Sequence, residues 1–408
     1  MSKKIEKCRN CKSKNLVNLF SLGKLRFTGK FPTKKKDIPF GEITLVMCQE
    51  CKLVQLNKNF SLKYLYNKDY GYRTGVNKTM TEHVYNVVKN LQKKAKIKKN
   101  DNVLDIASND GTLLSFYNKK TISWGIDPIL SKFKKNYIKI DYSVNDFFNL
   151  KSIYKINKKV KFKIITALSV FYDLKDPNIF LNAINKLLDK NGIFYLEFQD
   201  LLKIIKNNMF DTICHEHLEY YSVTFINNIL RKHNLRIFDH NYNEINGGSS
   251  SYFICHKDSV YKTNKIKINR ILQNESKANI HSRSTYIKFK NKIDQCKKSL
   301  NNLIVKIKKE KKIIHGYAAS TKGNVLLQYF NLNNKKIDYI SDRNPLKQNL
   351  YTPGTKIKII SEKLSRNLKP NYYLVLAWHF KKEILLREKE VRQKGTKFIF
   401  PLPNLKII

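Results

Sequence analysis

The sequence predicts an α/β protein in which two doubly wound sheets follow a small cysteine-rich N-terminal part. Short β-rich runs alternate with amphipathic helical runs from residue 101 to about residue 199, and the alternation resumes after residue 311. Strands that alternate with helices are typical of mostly parallel sheets covered by helices on both faces. A length of 408 residues agrees with two or three such domains.

Four of the seven cysteines form two C-x₂-C pairs, Cys8 with Cys11 and Cys48 with Cys51. Four thiolates on two tight turns supply the closed tetrahedral shell that structural Zn²⁺ prefers. Such a shell leaves no position open for a substrate, so we expect a structural metal. The alternative is a set of four unrelated free thiols.

The expected elements divide the chain into three parts, at residues 1–72, 73–265 and 266–408. A helix is predicted over 77–96, capped by Thr79 or Thr81, and another over 177–188. A single long helix, 269–311, is expected to connect the second and third parts. The predicted strands are 102–106, 122–126, 162–167, 192–197, 312–317, 336–342 and 372–378.

The composition excludes a disordered chain, a fibre and a membrane-spanning protein. Hydrophobic residues make up 42% and charged residues 27% of the chain, as in packed globular proteins. No apolar run approaches the ~18 residues that cross a bilayer. No apolar stretch follows the basic start, so no secretion signal is predicted. We therefore expect a cytoplasmic protein that is a monomer or a loose dimer.

The net charge of +47, from 79 Lys and Arg against 32 Asp and Glu, has two interpretations. It attracts nucleic acid or phosphorylated ligands, or it reflects a lysine bias spread over the whole chain. Aromatic residues do not interleave with basic ones as they do on RNA-stacking surfaces. We expect no nucleic-acid partner, and keep a basic nucleic-acid-binding or nucleic-acid-modifying zinc protein as the alternative.

Residues 103–114 read as a strand, a loop of small residues and the start of a helix. A doubly wound fold binds nucleotide-like ligands at this place. An acid at the end of the next strand suits the ribose hydroxyls, and an acid beside an apolar ring suits adenine. A plain strand-to-helix turn is the alternative. The predicted cofactor-binding residues are Asp105, Ala107, Ser108, Asn109, Gly111, Asp127, Asp146 and Phe147.

Residues 215–221 contain two His, two Glu and two Tyr. The two histidines are too close in sequence for a His-Glu-x-x-His zinc motif. A carboxylate next to an imidazole favours proton abstraction near neutral pH. His217 is the expected base, and His215 is its rival on the same face of an extended strand. A hydrogen-bonded structural pair is the alternative.

Together these motifs resemble the three-part S-adenosylmethionine-dependent C-methyltransferases that act on nucleotide-linked keto-deoxysugars. The resemblance implies an N-terminal zinc-binding domain, a central class I Rossmann-like methyltransferase sheet and a C-terminal Rossmann-like domain that helps to hold the sugar nucleotide. It also implies S-adenosylmethionine as cofactor. The segments that carry it are the cysteine pairs and residues 106–111, 214–218, 247–249, 316–324, 342–347 and 352–355.

The resemblance assigns roles within the site. His217 matches the proposed general base and Glu216 its neighbour, while His215 or Tyr221 would donate to the enolate. A loop lysine and backbone amides would hold the pyrophosphate at a helix N-terminus, unless this is the ordinary loop of a vestigial domain. The predicted substrate-binding residues are Tyr72, Gly248, Ser249, Ser320, Lys322, Asn324 and Asp342.

The chain departs from the family pattern at three positions expected in or near the sugar pocket. Cys214 stands where the family often has Tyr, Asp173 where it has His, and Ser251 where it tends to have Arg. These departures leave a catalytically inactive binding protein as a further alternative.

Overall fold

The computed structural model describes residues 2–33, 38–66, 70–118 and 120–408. Its strands are β1 (Ser2–Lys4), β2 (Leu16–Arg26), β3 (Phe40–Cys48), β4 (Val54–Leu56), β5 (Lys58–Phe60), β6 (Asn102–Ile106), β7 (Ile122–Ile126), β8 (Tyr142–Val144), β9 (Phe162–Leu168), β10 (Leu188–Gln199), β11 (Glu219–Tyr220), β12 (Leu235–Asn243), β13 (Ser249–His256), β14 (Ile314–Tyr317), β15 (Tyr339–Asp342), β16 (Ile359–Ser361), β17 (Tyr372–Val375), β18 (Lys397–Phe400) and β19 (Lys406–Ile407).

The helices are α1 (Leu62–Leu65), α2 (Lys78–Ala95), α3 (Leu150–Tyr154), α4 (Pro177–Leu187), α5 (Leu201–Lys206), α6 (Val223–Lys232), α7 (Lys265–Lys277), α8 (Arg283–Lys309), α9 (Thr321–Tyr329), α10 (Glu362–Asn367), α11 (Lys381–Arg387) and α12 (Lys389–Gln393). Among the described residues, no helix is both long enough and apolar enough to cross a membrane.

The N-terminal part is built on an antiparallel sheet with the order β11-β4-β3-β2. The β2–β3 hairpin fills the long spacer between the two cysteine pairs. Its fourth strand comes from the central part, where Glu219 and Tyr220 pair with Gln55 and Val54. This pairing joins the cysteine-rich part directly to the histidine-containing segment that precedes β11.

The central sheet has the order β12-β13-β10-β9-β6-β7-β8. Strands β10, β9, β6, β7 and β8 are parallel, while β13 is antiparallel to both of its neighbours. Val103, Leu104 and Ile106 of β6 are at most 1% exposed, as expected of a strand covered on both faces. The four predicted strands of this part are confirmed, with β10 longer at both ends.

The C-terminal sheet has the order β16-β15-β14-β17-β18-β19, and only β19 is antiparallel to its neighbour. The three predicted strands correspond to β14, β15 and β17. Strands β16, β18 and β19, which are two to four residues long, were not predicted. The order reverses between β14 and β17, where doubly wound sheets bind ligands.

Two helix predictions need correction. The expected single connector is two helices, α7 and α8, and Asn279 lies between them with a left-handed φ of 49°; Asn tolerates this backbone better than most residues. Helix α2 is capped by Asn77 instead of Thr79 or Thr81, since the Asn77 side chain accepts a hydrogen bond from Met80 N at 3.2 Å.

The packing brings the first and last parts together. One buried cluster contains Phe27 and Ile43 of the N-terminal part, Ile293 of α8 and Tyr373 of the C-terminal sheet. A second cluster fills the central sheet around Leu104. The loops that follow β6 and β14 both line a single cavity between the three parts.

Candidate active site

The four paired cysteines lie together at the edge of the N-terminal sheet. Their sulfur atoms are all within 4.8 Å of one another. The Cys8–Cys51 and Cys11–Cys48 sulfur pairs are each 3.5 Å apart, against about 3.8 Å for a tetrahedron with Zn–S bonds of ~2.3 Å. The donor set and its spacing therefore fit one Zn²⁺ held by four thiolates.

Local backbone geometry explains why these cysteines converge. Lys12 and Lys52, each following a C-x₂-C pair, have left-handed φ angles of 63° and 60°. Their N–H groups donate to the carbonyls of Cys8 and Cys48. The two turns thus have the same geometry, and each directs a pair of thiols towards the other.

A cavity of about 590 Å³ lies where the three parts meet. This volume is within the usual range for small-molecule sites. The N-terminal part contributes Gly29 and Phe31 to its wall, the central part contributes β-strand ends, and the C-terminal part contributes the loop after β14. Of the predicted site residues, those that line it are Tyr72, Asp105, Ala107, Ser108, Asn109, Asp127, Phe147, Glu216, His217, Ser320, Lys322 and Asp342.

The loop after β6 contains three residues with left-handed backbone angles. Ala107 and Asn109 have left-handed φ angles of 58° and 49°, and Gly111 one of 75°. Asp127 at the end of β7 accepts hydrogen bonds from Asn109 N at 2.9 Å and Ile129 N at 2.8 Å. Its carboxylate thus joins the two loops at the carboxyl edge, beside the cavity. Gly111 shapes the turn but does not line the cavity.

Asp105 is buried under this loop. Thr166 Oγ1 donates to Asp105 Oδ1 at 2.6 Å. Burial raises the pKa of Asp105 to about 7, because a low-dielectric environment disfavours the charged carboxylate. Asp105 therefore lies in the cavity wall as a polar group that is partly protonated at neutral pH.

Residues 72–75, just before α2, pack on the loop after β6. The sequence did not predict this contact. Thr74 N donates to Asn109 Oδ1 at 3.0 Å, and both Arg73 Nε and Gly75 N donate to Asp110 Oδ2 at 3.0 Å. A Cβ on Gly75 would lie 2.9 Å from that same oxygen, so the close approach requires glycine. Tyr72 is carried to the cavity by this segment.

Asp146 lies outside the cavity wall. Its carboxylate accepts hydrogen bonds from Ser152 Oγ at 2.7 Å and Phe147 N at 2.8 Å. The hydrogen bond from Ser152 lowers the pKa of Asp146. Phe147 and its neighbour Phe148 line the cavity, so the expected apolar face is in the wall but the expected adenine acceptor, Asp146, is not.

The segment from Cys214 to Leu218 bends and is not an extended strand. The expectation that His215 and His217 share a face is therefore wrong. His215 is fully buried between the rings of Phe27 and Phe60, at centroid distances of 4.5 and 4.9 Å. Its Nε2 is 3.2 Å from Gly41 O. His215 does not reach the cavity.

His217 lines the cavity and has a fixed tautomer. Its Nδ1 lies 2.7 Å from the Thr212 carbonyl. A carbonyl oxygen only accepts, so Nδ1 carries the proton and Nε2 keeps its lone pair. Burial, together with the charge of Lys322, lowers the pKa of His217 to about 3. The imidazole is therefore neutral at physiological pH.

Lys322 enters the cavity from the start of α9. Its Nζ donates to Asn246 O at 2.9 Å, and burial lowers the pKa of this ammonium to about 8. Gln199 Nε2 donates to the same carbonyl at 3.2 Å, and Thr212 Oγ1 donates to Gln199 Oε1 at 2.5 Å. A hydrogen-bonded chain thus connects Lys322 with the residue that orients His217.

The loop after β14 repeats the arrangement at β6. Asp342 at the end of β15 accepts hydrogen bonds from Ala319 N at 2.7 Å and Asn344 N at 2.8 Å. Ala318 has a left-handed φ of 70°. Ser320 caps α9 by accepting from Gly323 N at 3.0 Å. Two loops of the same design therefore line the same cavity.

Four other predicted residues have packing roles away from the cavity. Asn324 is 1% exposed, and its side chain donates to Thr28 O at 2.7 Å. Tyr221 is fully buried and donates to Glu219. Ser249 Oγ donates to Ile245 O at 2.9 Å, and Gly248, with a φ of 139°, packs against Lys203.

The three departures from the family pattern have different environments. Cys214 is buried in the core, and Ser251 Oγ donates to Glu197 Oε2 at 2.7 Å. Only Asp173 lines the cavity. That all three lie in or near a sugar pocket stays a prediction, and Asp173 is the one of them that lines the cavity.

Several cavity residues had no signal in the sequence. They come from distant parts of the chain, and only the fold brings them together; among them are Tyr66, Tyr70, His379 and Arg387. His379 follows Trp378 in a short 3-10 turn after β17. Burial, with the charge of Lys322, lowers the pKa of His379.

Asp127 provides a direct test of the cofactor position. We expect Asp127→Ala to weaken binding of S-adenosylhomocysteine by ~1.5–3 kcal/mol, because a charge-assisted hydrogen bond is lost. Calorimetry measures this. Asp141→Ala is the control, since Asp141 accepts from Ser123 N at 2.8 Å at the other end of β7. Equal affinities of Asp127→Ala and wild type would contradict the assignment.

Three family models match consecutive stretches of the chain. A domain described as zinc-binding matches residues 8–66, a methyltransferase domain matches 80–240, and a C-methyltransferase C-terminal domain matches 244–403. A curated relative, the C-methyltransferase NovU of Streptomyces niveus, is 26% identical over 412 residues, which cover 99% of this chain and 97% of NovU.

Solved structures show weaker similarity. An S-adenosylmethionine-dependent methyltransferase of Clostridium acetobutylicum ATCC 824 is 16% identical at a TM-score of 0.35, covering 43% of this chain and 92% of its own. The magnesium protoporphyrin IX methyltransferase of Synechocystis PCC 6803, with bound S-adenosylhomocysteine, is 15% identical at a TM-score of 0.34, covering 46% and 90%. These values support no conclusion about the substrate.

The matched domains follow the order of the observed parts, with the cysteine cluster in the first and the β6 loop in the second. S-adenosylmethionine is therefore the cofactor of the central domain, and zinc belongs to the first domain. These matches show that the chain is an S-adenosylmethionine-dependent C-methyltransferase.

Proposed function

We propose that this enzyme methylates a carbon next to the ketone of a nucleotide-linked keto-deoxysugar. The observation that carries the proposal is His217, whose Nδ1–H is bound by a backbone carbonyl and whose Nε2 is left as a free base beside the cavity. A ketone acidifies the neighbouring C–H bond, so a fixed neutral imidazole is suited to remove that proton.

In the proposed reaction, Nε2 of His217 takes the proton from the ring carbon, and the bonding electrons move onto the ketone oxygen as an enolate. The cofactor, when bound, supplies an electrophilic methyl group. The nucleophilic carbon forms the new C–C bond as the methyl–sulfur bond breaks and the ketone is restored. The proton on His217 then leaves to solvent as product is released.

Lys322 is the proposed hydrogen-bond donor to the enolate oxygen. Its ammonium uses one hydrogen for Asn246 O and keeps two for a ligand. Lys322 and His217 line the same cavity, and the charge of Lys322 contributes to the lowered pKa of His217. A negative oxygen beside Lys322 would screen this charge and make His217 a stronger base as the reaction proceeds. This favours the ketone over the pyrophosphate as the group that Lys322 binds.

The C-terminal wall of the cavity is the proposed binding site of the sugar nucleotide. Asp342 and the loop after β14 lie at the switch point of a doubly wound sheet, where nucleotides commonly bind. Lys347 lies beside them, and its Nζ donates to Ala319 O at 2.7 Å. Burial lowers the pKa of Lys347, and an anionic phosphate would offset that cost.

Mass spectrometry tests the function. The zinc-loaded enzyme is incubated with S-adenosylmethionine and a panel of nucleotide-linked keto-deoxysugars. A mass gain of one CH₂ on a sugar nucleotide, with the label on carbon when a ¹³C-methyl cofactor is used, is the expected result. Methylation of RNA in the same assay, with no sugar nucleotide modified, would overturn the proposal.

Lys322→Met separates the two roles of this lysine. If it stabilises the enolate, we expect kcat to fall about 10²-fold, the usual cost of losing one oxyanion donor, with little change in KM. A raised KM with unchanged kcat would return Lys322 to the pyrophosphate. The control is Lys335→Met, which removes the same charge from an exposed position outside the cavity.

A further inference from the structure

One corner of the cavity combines two buried carboxyl groups with three tyrosines. Asp173 and Glu216 are 8% and 4% exposed, and both line the cavity together with Tyr66, Tyr70 and Tyr172. The rings of Tyr66 and Tyr70 are 5.0 Å apart at 58°. This corner adjoins the base, because the ring of Tyr172 lies 4.2 Å from that of His217. We call these five residues the acidic–tyrosine pocket.

Each carboxyl group keeps one oxygen unused. Tyr66 OH donates to Asp173 Oδ2 at 2.6 Å. Among the described residues, Asp173 Oδ1 and Glu216 Oε2 are buried without any hydrogen-bond partner. Such atoms are costly, and they occur here at the wall of a ligand cavity. This pattern indicates donors that a ligand supplies.

Within the described ranges, no cationic side chain forms a salt bridge with these carboxyl groups. Burial raises the pKa of Asp173, and the charge of Glu216 raises it further. Burial also raises the pKa of Glu216, while the groups that lower it, such as the Cys214 thiol and the Gly29 N–H, are neutral. Two negative charges in a buried corner are unfavourable unless a cation offsets them.

The surrounding rings complete the chemistry. The faces of tyrosine rings attract cations, and aromatic cages bind ammonium groups in this way. The Glu216 carboxylate packs against the backbone of Gly29, because a Cβ at Gly29 would clash with Glu216 Oε1. The corner therefore places two carboxyl groups and three tyrosine rings together in the cavity wall.

We propose that the acidic–tyrosine pocket binds a positively charged group of a ligand next to His217. This rests on the proposed function for its location in the reaction. Two sources supply such a group: the ammonium of an amino sugar, on a carbon near the ketone, and the sulfonium of S-adenosylmethionine.

The test is equilibrium binding with the full-length zinc-loaded protein at neutral pH. Asp173→Asn and Glu216→Gln keep shape and remove the negative charge. Asp258→Asn, at an exposed position away from the cavity, removes the same charge as a control. Thermal unfolding shows whether each variant is folded. If one of the two variants fails to fold, the other still tests the proposal.

Two ligand pairs differ by one charge each. S-adenosylmethionine and S-adenosylhomocysteine share the same ammonium and carboxylate, so only the sulfonium distinguishes them. A nucleotide-linked keto-deoxyhexose carrying an amino group beside the ketone is compared with its hydroxyl analogue. We expect either variant to lose about tenfold in affinity for the charged member of one pair, equivalent to ~1.4 kcal/mol, with little change for the neutral member.

The outcomes are distinct. Loss restricted to the amino sugar assigns the pocket to the substrate, and loss restricted to S-adenosylmethionine assigns it to the sulfonium. Equal effects on charged and neutral ligands, or none, overturn the proposal, because Asn and Gln mimic protonated acids. If wild type binds neither sugar, the proposed substrate fails, and the cofactor pair alone then decides the pocket.

Discussion

Replacing His217 with Asn is expected to reduce turnover by ~10²–10⁴-fold, the usual cost of removing a general base. Solvent-deuterium exchange at the acidic sugar carbon, followed by NMR without the cofactor, isolates proton removal from methyl transfer. Affinity for S-adenosylhomocysteine should stay unchanged, because His217 is not part of the β6 loop, where we expect the cofactor to bind.

The size of this effect follows from the geometry. The Thr212 carbonyl fixes the Nδ1–H tautomer, so the free Nε2 lone pair is available in every molecule. The side-chain amide of Asn is a much weaker base than imidazole. His256→Asn is the matched control, since His256 Nε2 is 3.2 Å from Leu188 O at the far end of the central sheet. Exchange at the wild-type rate in His217→Asn would assign proton removal to another group.

The pH profile of kcat/KM offers an independent check on the same site. The pKa of His217 is lowered to about 3, so its neutral form persists through pH 5 and no acid limb from this residue is expected near pH 6.5. The pKa of Lys322 is lowered to about 8, so its charge is lost above that pH. We therefore expect a basic limb near pH 8 that Lys322→Met abolishes.

Local patterns in the sequence were sufficient to predict much of the site. The cysteine pairs, the β6 loop and Asp127 each depend on residues within one supersecondary unit, where spacing determines position. The C-terminal loop with Asp342 follows the same logic. For such features, strand ends and turns bring the side chains together whatever the rest of the chain does.

Contacts between distant segments were beyond such patterns. His215 and His217 looked equivalent, but the bend at residues 214–216 sends His215 into the N-terminal core and His217 to the cavity. Tyr66, Asp173 and His379 come from three different parts of the chain. No periodicity links them, because their proximity results from how the domains pack.

Removal of zinc is expected to have the largest effect on stability. Structural Zn²⁺ contributes ~10–16 kcal/mol in small zinc-binding peptides, and here the cysteine cluster organises β3 and β4. Strand β11 pairs with β4 and immediately follows the segment that carries His217. Loss of the metal should therefore disorder the N-terminal sheet, displace His217 and abolish proton exchange.

Elemental analysis should find about one zinc per chain. Cys48→Ser should lose that metal and lower the unfolding temperature by more than about 10 °C, since ~1 kcal/mol shifts it by ~2–4 °C in domains of this size. Cys296→Ser is the control, because the Cys296 thiol donates to Pro401 O and lies outside the cluster. Full zinc content and unchanged unfolding in Cys48→Ser would show that these cysteines do not hold the metal, and that the N-terminal sheet orders His217 without it.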